Sequence, residues 1–573
     1  LTNKNNSLKK YIWRQYFIIF IVSIVLILIT ARIILLQGFN TDCFIFNQSN
    51  CKVNLSNLAD KRQIDHRVIK TYRGMIYDRN GEILAMSLPK KTLCINIFQT
   101  RKMLKNENIN YSKLLKLIGM PKKKFQNLLE KNSTKKEYYL KRKIDDELAS
   151  KISSLDLPYI YFIDEYHRAY LGGSYFSNII GFTDIDDNGQ AGIEYSKNKE
   201  LSSTPGIKKV RKDNFGRSVE LIELVKKPIS GKNIYLSLDK RVQFIGYDVL
   251  RNHVRKSNAD SASLVVVKNT TGEIIAMVNY PSFNPKNRRE LTGQNIRNKV
   301  ATNSFEPGSS MKPFAIYTAL DSKSIDYNFS INTSQEEIRF KKKYLKDYKD
   351  LGVLNLEGII QKSSNIGAAA ISRKTKKIDI YNTLKNLDFG NTLYIDWPGI
   401  QDGNLYHYNR WSDDDHASIS FGYGISVTLL HLANAYVTLA NYGKKVQLTY
   451  ERSDESEVYY DKVLNDKISK DIINMMRSVV EQEGTGKKAK LEKYSVAGKT
   501  GTSRILDNGK YSTHKHNAIF VGIVPASKPE YVAAVIVRNP KKGNASGGRH
   551  AAPIFNELMS RSLNLLRVYP DIK

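Results

Sequence analysis

The sequence predicts an α+β protein that carries one membrane-spanning helix near its N-terminal end. Short apolar runs typical of strands begin near Ile234 and return near the C-terminal end, and a mostly helical block over about 309–480 separates them. Strands at both ends of such a stretch are expected to form one sheet that the intervening helices cover. The chain has 573 residues, which is enough for two or three folded units of ~100–200 residues each.

The membrane-spanning helix is predicted from Gln15 to Ala31, a stretch without charged residues. At ~1.5 Å per residue this stretch is ~26 Å long, close to the thickness of a bilayer core. Basic residues precede it and no acidic residue occurs before Asp42, so we expect a cytoplasmic N-terminus and an exported remainder. We predict a cytoplasmic tail over 1–14 and an uncleaved anchor over 15–36. A cleaved signal peptide is the alternative, although no convincing cleavage site follows the apolar core.

The composition limits the remaining classes of function. Lys and Arg number 89 and Asp and Glu 56, giving a net charge of +33. The basic residues are spread along the whole chain, which favours a composition bias over a nucleic-acid-binding face. Three cysteines are too few for a disulfide scaffold, although Cys43 and Cys51 could pair in an oxidising compartment. Cys and His residues lack the spacing of zinc ligands, so we predict neither a metal nor a cofactor.

The exported part is predicted to contain a linker over 37–66 and two folded regions, 67–228 and 229–567. The first region alternates strand-like runs with Lys-rich helical stretches such as Lys113–Lys131, and nothing in it has catalytic spacing. In the second region we predict strands at Ile234–Leu238, Ser263–Val267, Ile274–Val278, Ala518–Val524 and Tyr531–Val537, a hairpin turn at Thr271-Gly272, and a helix from Ile554 to about Leu566.

The first chemically informative segment is Ser309-Ser-Met-Lys312, which follows the turn residues Pro307-Gly308. This segment favours a helix start, and on a helix residues three apart share a face, which Ser309 and Lys312 satisfy. A serine at a helix N-terminus lies where N–H groups favour the negative charge that develops on an attacked carbonyl. Lys312 can act as its base if burial lowers the lysine pKa.

Two further segments complete a catalytic set. Ser363-Ser364-Asn365 follows a helical stretch and offers a hydroxyl for proton relay and a carboxamide for a peptide. Lys499-Thr500-Gly501-Thr502 ends a strand-like run, so Lys499 would point to one face and Thr500 and Thr502 to the other. Lys499 could then reach the serines while the two hydroxyls meet a ligand carboxylate, and Gly501 would allow close approach of a substrate backbone. A phosphate-binding loop at Gly498-Lys499-Thr500 is disfavoured because position 493 is Lys rather than Gly.

These three segments resemble the motifs of the penicillin-binding proteins and serine β-lactamases. The resemblance extends over about residues 67–560 and is closest to class B penicillin-binding proteins. Glu306 before Pro-Gly and Asn365 in the second motif are more similar to the division-specific (septal) enzyme than to the elongation enzyme. Further matching segments are Arg73–Gly81, Ile180–Thr183, Gly192–Glu194, Arg211–Arg217, Thr271–Glu273, Pro281–Pro285, Arg410–Ser412 and Ser420–Gly424.

The resemblance implies a transpeptidase domain of the penicillin-binding and serine β-lactamase-like fold over 229–567, on an elongated α+β pedestal over 67–228. It implies a periplasmic septal D,D-transpeptidase that cross-links D-Ala-D-Ala stem peptides to an amine acceptor and that β-lactams inhibit covalently. Ser309 is then the nucleophile, Lys312 the base and Ser363 the proton relay. Asn365 and Lys499 complete the catalytic set, and Thr500, Gly501 and Thr502 contact substrate.

The implied partners are a membrane glycan polymerase and other division proteins, without nucleic acid. Three alternatives stay open. An elongation-type transpeptidase would share the chemistry, and a D,D-carboxypeptidase or β-lactamase would release the acyl group to water. A non-enzymatic division scaffold would keep the fold without the activity.

Overall fold

The computed structural model describes residues 4–38, 63–104, 109–213, 218–334, 339–340, 343–453, 456, 458–507 and 510–572. Cys43, Cys51 and most of the predicted linker lie outside these ranges, as do the last four residues of the motif that ends at Arg217. The cysteine at position 94 is buried and is not in a disulfide.

Helices and strands alternate along most of the described chain. The helices are α1 (Lys4–Gly38), α2 (Ile97–Leu104), α3 (Ser112–Ile118), α4 (Lys122–Lys131), α5 (Asp146–Ser153), α6 (Ser177–Ile180), α7 (Gly192–Ser196), α8 (Asn198–Leu201), α9 (Lys240–Ser257), α10 (Gly293–Ile296), α11 (Lys299–Thr302), α12 (Lys312–Asp321), α13 (Leu356–Lys362), α14 (Asn365–Lys374), α15 (Lys377–Asn386), α16 (Asp413–Ser420), α17 (Leu429–Ala440), α18 (Asp466–Arg477), α19 (Gly547–His550) and α20 (Ala552–Ser562). The strands are β1 (Ile64–Ile69), β2 (Ile76–Tyr77), β3 (Ile83–Ile95), β4 (Tyr138–Ile144), β5 (Ile160–Tyr170), β6 (Gly206–Lys212), β7 (Ser218–Lys226), β8 (Ile234–Tyr235), β9 (Ser261–Lys268), β10 (Ile274–Tyr280), β11 (Ser330–Asn332), β12 (Arg339–Phe340), β13 (Lys343–Tyr344), β14 (Val353–Asn355), β15 (Lys444–Val446), β16 (Tyr460–Lys462), β17 (Ala497–Asp507), β18 (Lys510–Val524) and β19 (Tyr531–Arg538).

Helix α1 contains the predicted anchor. Its segment Ile12–Ile34 has 23 residues, a mean hydropathy of 3.0 and no part buried against protein. The segment is long and apolar enough to cross a bilayer once, which fits a single-pass membrane protein.

The chain divides into two compact units. The first comprises Leu1–Thr71, Pro89–Tyr166 and Thr204–Ile229. Within it, β1, β6 and β7 form an antiparallel sheet, and helices α2–α5 enclose a separate apolar core with Leu93 and Ile95. The domain limits given by the sequence analysis remain predictions.

The second unit comprises Tyr72–Leu88, His167–Ser203 and Ser230–Lys573. Its main sheet has the order β10-β9-β19-β18-β17, with every neighbouring pair antiparallel. The sheet therefore joins strands from both ends of the region, as the sequence predicts, and the α+β class is confirmed.

The strands of this sheet carry apolar side chains on both faces, so both faces are covered. Alternate residues such as Leu264 and Phe520 pack with α9 and α20. The intervening residues, such as Val265 and Ile519, pack with α12, α17 and α18. On β17, Ala497 belongs to this second face, and the period of two places Lys499 there as well, towards the helices.

Three predicted elements differ in extent. The Lys-rich stretch over 113–131 is two helices, because Gly119 adopts a left-handed conformation and ends the first. The strand at Ile234 stops after Tyr235, because Leu236 and Ser237 pair instead with the 450–451 segment. The last helix, α20, ends at Ser562 rather than near Leu566.

Candidate active site

The segment with the predicted nucleophile is a 3-10 turn, Gly308–Met311, that leads directly into α12. Sequence analysis predicts a helix start here without this tighter turn. Residues three apart eclipse each other in a 3-10 turn, so Ser309 and Lys312 lie on the same side. Ser309 is half-buried, whereas Ser310 is fully buried and its hydroxyl donates to the carbonyl of Pro307 at 2.7 Å.

Lys312 is fully buried, and its ammonium group points at the second motif. Its Nζ donates to Asn365 Oδ1 at 2.8 Å and to Ser363 Oγ at 3.3 Å. A third hydrogen bond goes to the carbonyl of Ser363. The first two predicted segments therefore meet through hydrogen bonds between residues that are more than fifty positions apart.

The second motif is held in a sharp turn between two helices. Helix α13 ends at Lys362, and its C-cap is Ser363, whose φ of 60° lies in the left-handed region. Ser364 then caps α14, with its Oγ accepting from the N–H of Gly367 at 2.9 Å. A positive φ at a non-glycine residue is strained and is often found at active sites. The turn directs the side chains of both Ser363 and Asn365 towards Lys312.

Lys499 reaches the same place from the sheet. It is fully buried on β17, and its Nζ donates to Ser363 Oγ at 2.9 Å and to the carbonyl of Thr500 at 3.3 Å. Ser363 Oγ thus accepts hydrogen bonds from two buried lysines. In the structure Lys499 therefore points towards Ser363, which is the orientation that the strand period predicts.

Burial changes the protonation of both lysines. It lowers the pKa of Lys312 to about 7, and the charge of Asp347 opposes this shift. Burial also lowers the pKa of Lys499, and the charge of Lys312 lowers it further. Desolvation disfavours an ammonium ion, as does a second positive charge nearby. The site therefore favours a neutral amine close to a serine at neutral pH.

The turn that carries Ser309 packs tightly on the third motif. A Cβ at Gly308 would lie 2.6 Å from the carbonyl oxygen and 3.3 Å from the nitrogen of Thr502. A Cβ at Gly501 would lie 2.8 Å from the carbonyl oxygen of Pro307. The close approach of the protein's own backbone therefore requires a glycine at 501. The sequence analysis explains this glycine by the approach of a substrate backbone instead. The packing brings the backbone of Thr502 beside the residue that precedes Ser309.

The two threonines of the third motif are held by neighbouring groups. The hydroxyls of Thr500 and Thr485 share a hydrogen bond of 2.8 Å. Thr502 Oγ1 accepts from the N–H of Gly547 at 3.4 Å, and its carbonyl accepts from Tyr423 Oη at 3.4 Å. These contacts hold both threonines within β17, next to Lys499.

Asp347 is a site residue that sequence reasoning missed. One carboxylate oxygen accepts from the N–H of Ile366 at 3.3 Å and from the N–H of Asn365, and the other accepts from the hydroxyl of Ser364. The carboxylate thus lies at the N-terminus of α14 and holds the second motif in place. Asp347 lies in a Lys-rich stretch without a motif, so no local signal could have identified it.

Glu306, singled out by the resemblance, also has a structural role beside the site. Its Oε1 accepts from Tyr511 Oη at 2.7 Å and from the N–H of Gly424 at 3.0 Å. The first contact joins the segment before Ser309 to β18, and the second joins it to the segment that follows α16. In the part of the chain that the structure describes, no group of three or more His, Cys, Asp or Glu side chains could hold a metal ion.

Comparisons with known proteins agree with this arrangement. The model of the penicillin-binding protein transpeptidase domain matches residues 262–560, and that of the penicillin-binding protein dimerisation domain matches residues 68–236. The peptidoglycan D,D-transpeptidase FtsI of Buchnera aphidicola subsp. Schizaphis graminum is 34% identical over 573 residues, which cover 99% of this chain and 98% of the relative. FtsI of Escherichia coli K12 is 33% identical over 515 residues, which cover 90% and 87%.

Solved structures have the same fold. The transpeptidase domain of Burkholderia pseudomallei penicillin-binding protein 3 is 32% identical, with a TM-score of 0.54, and covers 59% of this chain and 98% of its own. Penicillin-binding protein 3 of Mycobacterium tuberculosis, complexed with aztreonam, is 23% identical, with a TM-score of 0.68, and covers 88% and 98%.

This chain has both the transpeptidase fold and the lysine–serine cluster, and it is a member of the penicillin-binding protein family. Its likeness to FtsI over almost the whole chain, with a dimerisation domain ahead of the transpeptidase domain, places it among the class B penicillin-binding proteins of the division type.

Proposed function

We propose that this protein is a septal peptidoglycan D,D-transpeptidase that cross-links stem peptides through an acyl-enzyme on Ser309. One observation carries the proposal: two buried lysines, Lys312 and Lys499, donate to the single oxygen Ser363 Oγ, next to the turn that holds Ser309. The division-type relatives support the substrate and the pathway.

In the proposed acylation, neutral Lys312 takes the proton of Ser309 as Oγ bonds to the carbonyl carbon of the penultimate D-Ala. The lowered pKa of Lys312 supports this role, because a general base works best with a pKa near the working pH. The N–H groups of Ser309 and Thr502 hold the oxyanion, and the close packing of Gly308 on Thr502 supports this pairing. Each such donor lowers a barrier by ~3 kcal/mol.

The tetrahedral intermediate then loses the terminal D-Ala. The carbon–nitrogen bond breaks, and Ser363 passes a proton from Lys312 to the departing amine, which its hydrogen bonds with both lysines support. Thr500 and Thr502 hold the carboxylate of the departing residue, and Asn365 and Gly501 contact the peptide. An amine of a neighbouring stem peptide then attacks the ester and restores the Ser309 hydroxyl.

β-Lactams follow the first half of this reaction. The ring amide is attacked by Ser309 Oγ, the ring opens, and the acyl group stays attached because the leaving amine is tethered to it. The fold shared with a penicillin-binding protein complexed with aztreonam is consistent with such a site.

For the cellular arrangement we propose a cytoplasmic N-terminus, one crossing by α1 and a periplasmic catalytic domain at the division septum. The 23-residue apolar segment and the basic residues before it support this topology. Residues 67–228 are the pedestal in this proposal, and they dock a membrane glycan polymerase and other division proteins. Residues 229–567 carry the transpeptidase.

Mass spectrometry after benzylpenicillin treatment tests the proposed chemistry. We expect one adduct, on Ser309, which Ser309→Ala abolishes. Ser310→Ala is the matched control and should keep the adduct, because the Ser310 hydroxyl is bonded to the carbonyl of Pro307. An adduct on another residue would refute the assignment of the nucleophile.

Labelling cells with a fluorescent penicillin tests the pathway. We expect the labelled protein at midcell, and Ser309→Ala should fail to support division. Labelling along the side wall would favour the elongation-type enzyme, rapid nitrocefin turnover would favour a hydrolase, and full complementation by Ser309→Ala would favour a scaffold.

A further inference from the structure

A second cluster of cations lies where β19, the central strand of the main sheet, ends, two strands away from Ser503 of β17. Lys299 begins α11 and keeps 9% of its surface exposed, and Arg538 ends β19 and is partly buried. Arg538 donates to the carbonyl of Lys299 at 3.4 Å. Among the described residues, no carboxylate forms an ion pair with either side chain, and the ammonium of Lys299 has no hydrogen-bond partner.

The polar groups around this pair offer more donors than acceptors. Arg538 donates to Ser263 Oγ at 2.8 Å, and that hydroxyl donates to Asn279 Oδ1 at 2.9 Å. Asn279 donates in turn to Asn298 Oδ1 at 2.8 Å. Asn298 is 3% exposed, and its Nδ2 is buried without a partner in the part of the chain described. Buried donors without acceptors are rare in folded proteins and often mark a bound water or ion.

Burial disfavours the charged forms of Lys299 and Arg538. Burial lowers the pKa of Lys299 to about 8, with further lowering by the charges of Arg538 and Arg297. Burial also lowers the pKa of Arg538 to about 10. The charge of Asp260 opposes the lowering of the Lys299 pKa, but the Asp260 carboxylate is bonded to Lys541 at 2.8 Å and to Asn539 at 2.7 Å rather than to the cluster.

We infer that Lys299, Arg538 and Asn298 form a binding site for one oxyanion, a carboxylate or phosphate group. An ammonium, a guanidinium and an amide N–H are the donors that such groups prefer, and an Arg can engage two oxygens at once. Binding would supply the missing acceptors and stabilise α11, which ends at Thr302, before the turn that carries Ser309. The inference does not depend on the proposed transpeptidase activity.

Thermal unfolding of the full-length protein in detergent tests the site. Sodium phosphate is titrated against sodium chloride at equal ionic strength, and we expect a saturable rise of the unfolding midpoint in phosphate, because a ligand that binds only the folded state stabilises it. Lys299→Gln should raise the apparent Kd by about tenfold or more, the loss expected for a hydrogen bond to a charged group. Arg538→Gln is a second variant with the same expectation, in case one of the two does not fold.

Lys541→Gln is the matched control. It removes a nearby positive charge that is half exposed and already paired with Asp260, so the phosphate response should equal that of the unaltered protein. Equal phosphate responses in the unaltered protein, Lys299→Gln and Arg538→Gln would overturn the inference, as would the absence of any response beyond that of chloride.

A second arm identifies the source of the oxyanion. The protein is first acylated with benzylpenicillin to close the catalytic site, and a soluble pentapeptide ending in D-Ala-D-Ala is then added in place of phosphate. Stabilisation that Lys299→Gln weakens would show a peptide carboxylate as ligand. Stabilisation by phosphate alone would show a phosphate group as ligand. Both outcomes support the site, and they separate its two chemistries.

Discussion

Two buried charge clusters in the second unit differ in whether a carboxylate completes them. In the first, Glu194 receives Arg73 Nε at 2.6 Å and Arg168 Nε at 2.7 Å, and all three side chains are almost fully buried. In the second, Lys312 and Lys499 are fully buried and donate only to neutral oxygens, and neither forms an ion pair within the described ranges.

The difference shows which buried charges serve stability and which serve chemistry. Two guanidinium groups share one carboxylate, although Arg168 Nη2 is a buried donor without a partner among the described residues. Removing the carboxylate would leave both buried cations uncompensated. Two ammonium groups that form no ion pair with a carboxylate in the described part of the chain are driven towards the neutral form, although the more distant charge of Asp347 opposes this at Lys312. A base requires this neutral form. The active-site lysines thus lose electrostatic stability and have lowered pKa values, whereas the two arginines are stabilised by their shared carboxylate. The cluster at Lys299 resembles the active site in this respect, because within the described ranges neither Lys299 nor Arg538 forms an ion pair with a carboxylate.

Lys312→Met should have the largest effect on activity. The change removes the proposed base and keeps a similar volume, so acylation by benzylpenicillin should slow by about 10²–10⁴-fold. The unfolding midpoint should stay constant or rise, because an apolar side chain replaces an uncompensated buried charge. Stopped-flow acylation and urea unfolding measure the two effects. A large loss of stability with acylation preserved would place Lys312 in a structural role instead.

Glu194→Gln should do the reverse. The free energy of unfolding should fall by about 3–5 kcal/mol, the cost of breaking a buried ion pair by removing one partner. The molecules that remain folded should be acylated at the normal rate. Glu481→Gln is the control, since it breaks the exposed pair with Lys490 and should leave the urea midpoint unchanged. An equal shift in both variants would remove the distinction between the clusters.

The elements of the catalytic unit could be predicted because their patterns are local. Alternating or continuous apolar runs predicted β9, β10, β18 and β19, and their position at both ends of the region predicted one sheet. The period of a strand also predicted the side to which Lys499 points. The 3-10 turn at Ser309 was missed, because the same residues favour either kind of helix start.

The partners of these residues could not be predicted in the same way. Asp347 bonds to Ser364 from a Lys-rich loop that has no recognisable motif. Thr485 contacts Thr500 only once the chain has folded. The pair of Lys299 and Arg538 joins positions 239 residues apart. Such contacts depend on tertiary packing, which the pattern of a single sequence does not indicate.

The pH dependence of acylation sharpens the comparison further. Because the pKa of Lys312 is about 7, its neutral form increases as the pH rises through that value. The rate should therefore increase about tenfold per unit below pH ~6.5 and level off above pH ~8. Acylation rates from pH 5.5 to 9 measure the profile. A rate that still climbs steeply above pH 9 would mean that Lys312 keeps an ordinary lysine pKa and is not the base.

Asp347→Asn should have the smallest effect on the acylation rate. This variant tests whether Asp347 acts on the charge of Lys312 or only supports the fold. The carboxylate caps α14 and holds Ser364 and Asn365, and loss of a cap costs ~1 kcal/mol, so acylation should slow by about five- to tenfold. The charge of Asp347 also raises the pKa of Lys312, and removing it should move the pH profile to lower pH. Asp350→Asn, in the same loop but exposed, should change neither quantity. A slower rate with an unmoved profile would assign Asp347 to the fold alone, because only a residue that acts electrostatically on Lys312 can shift its titration.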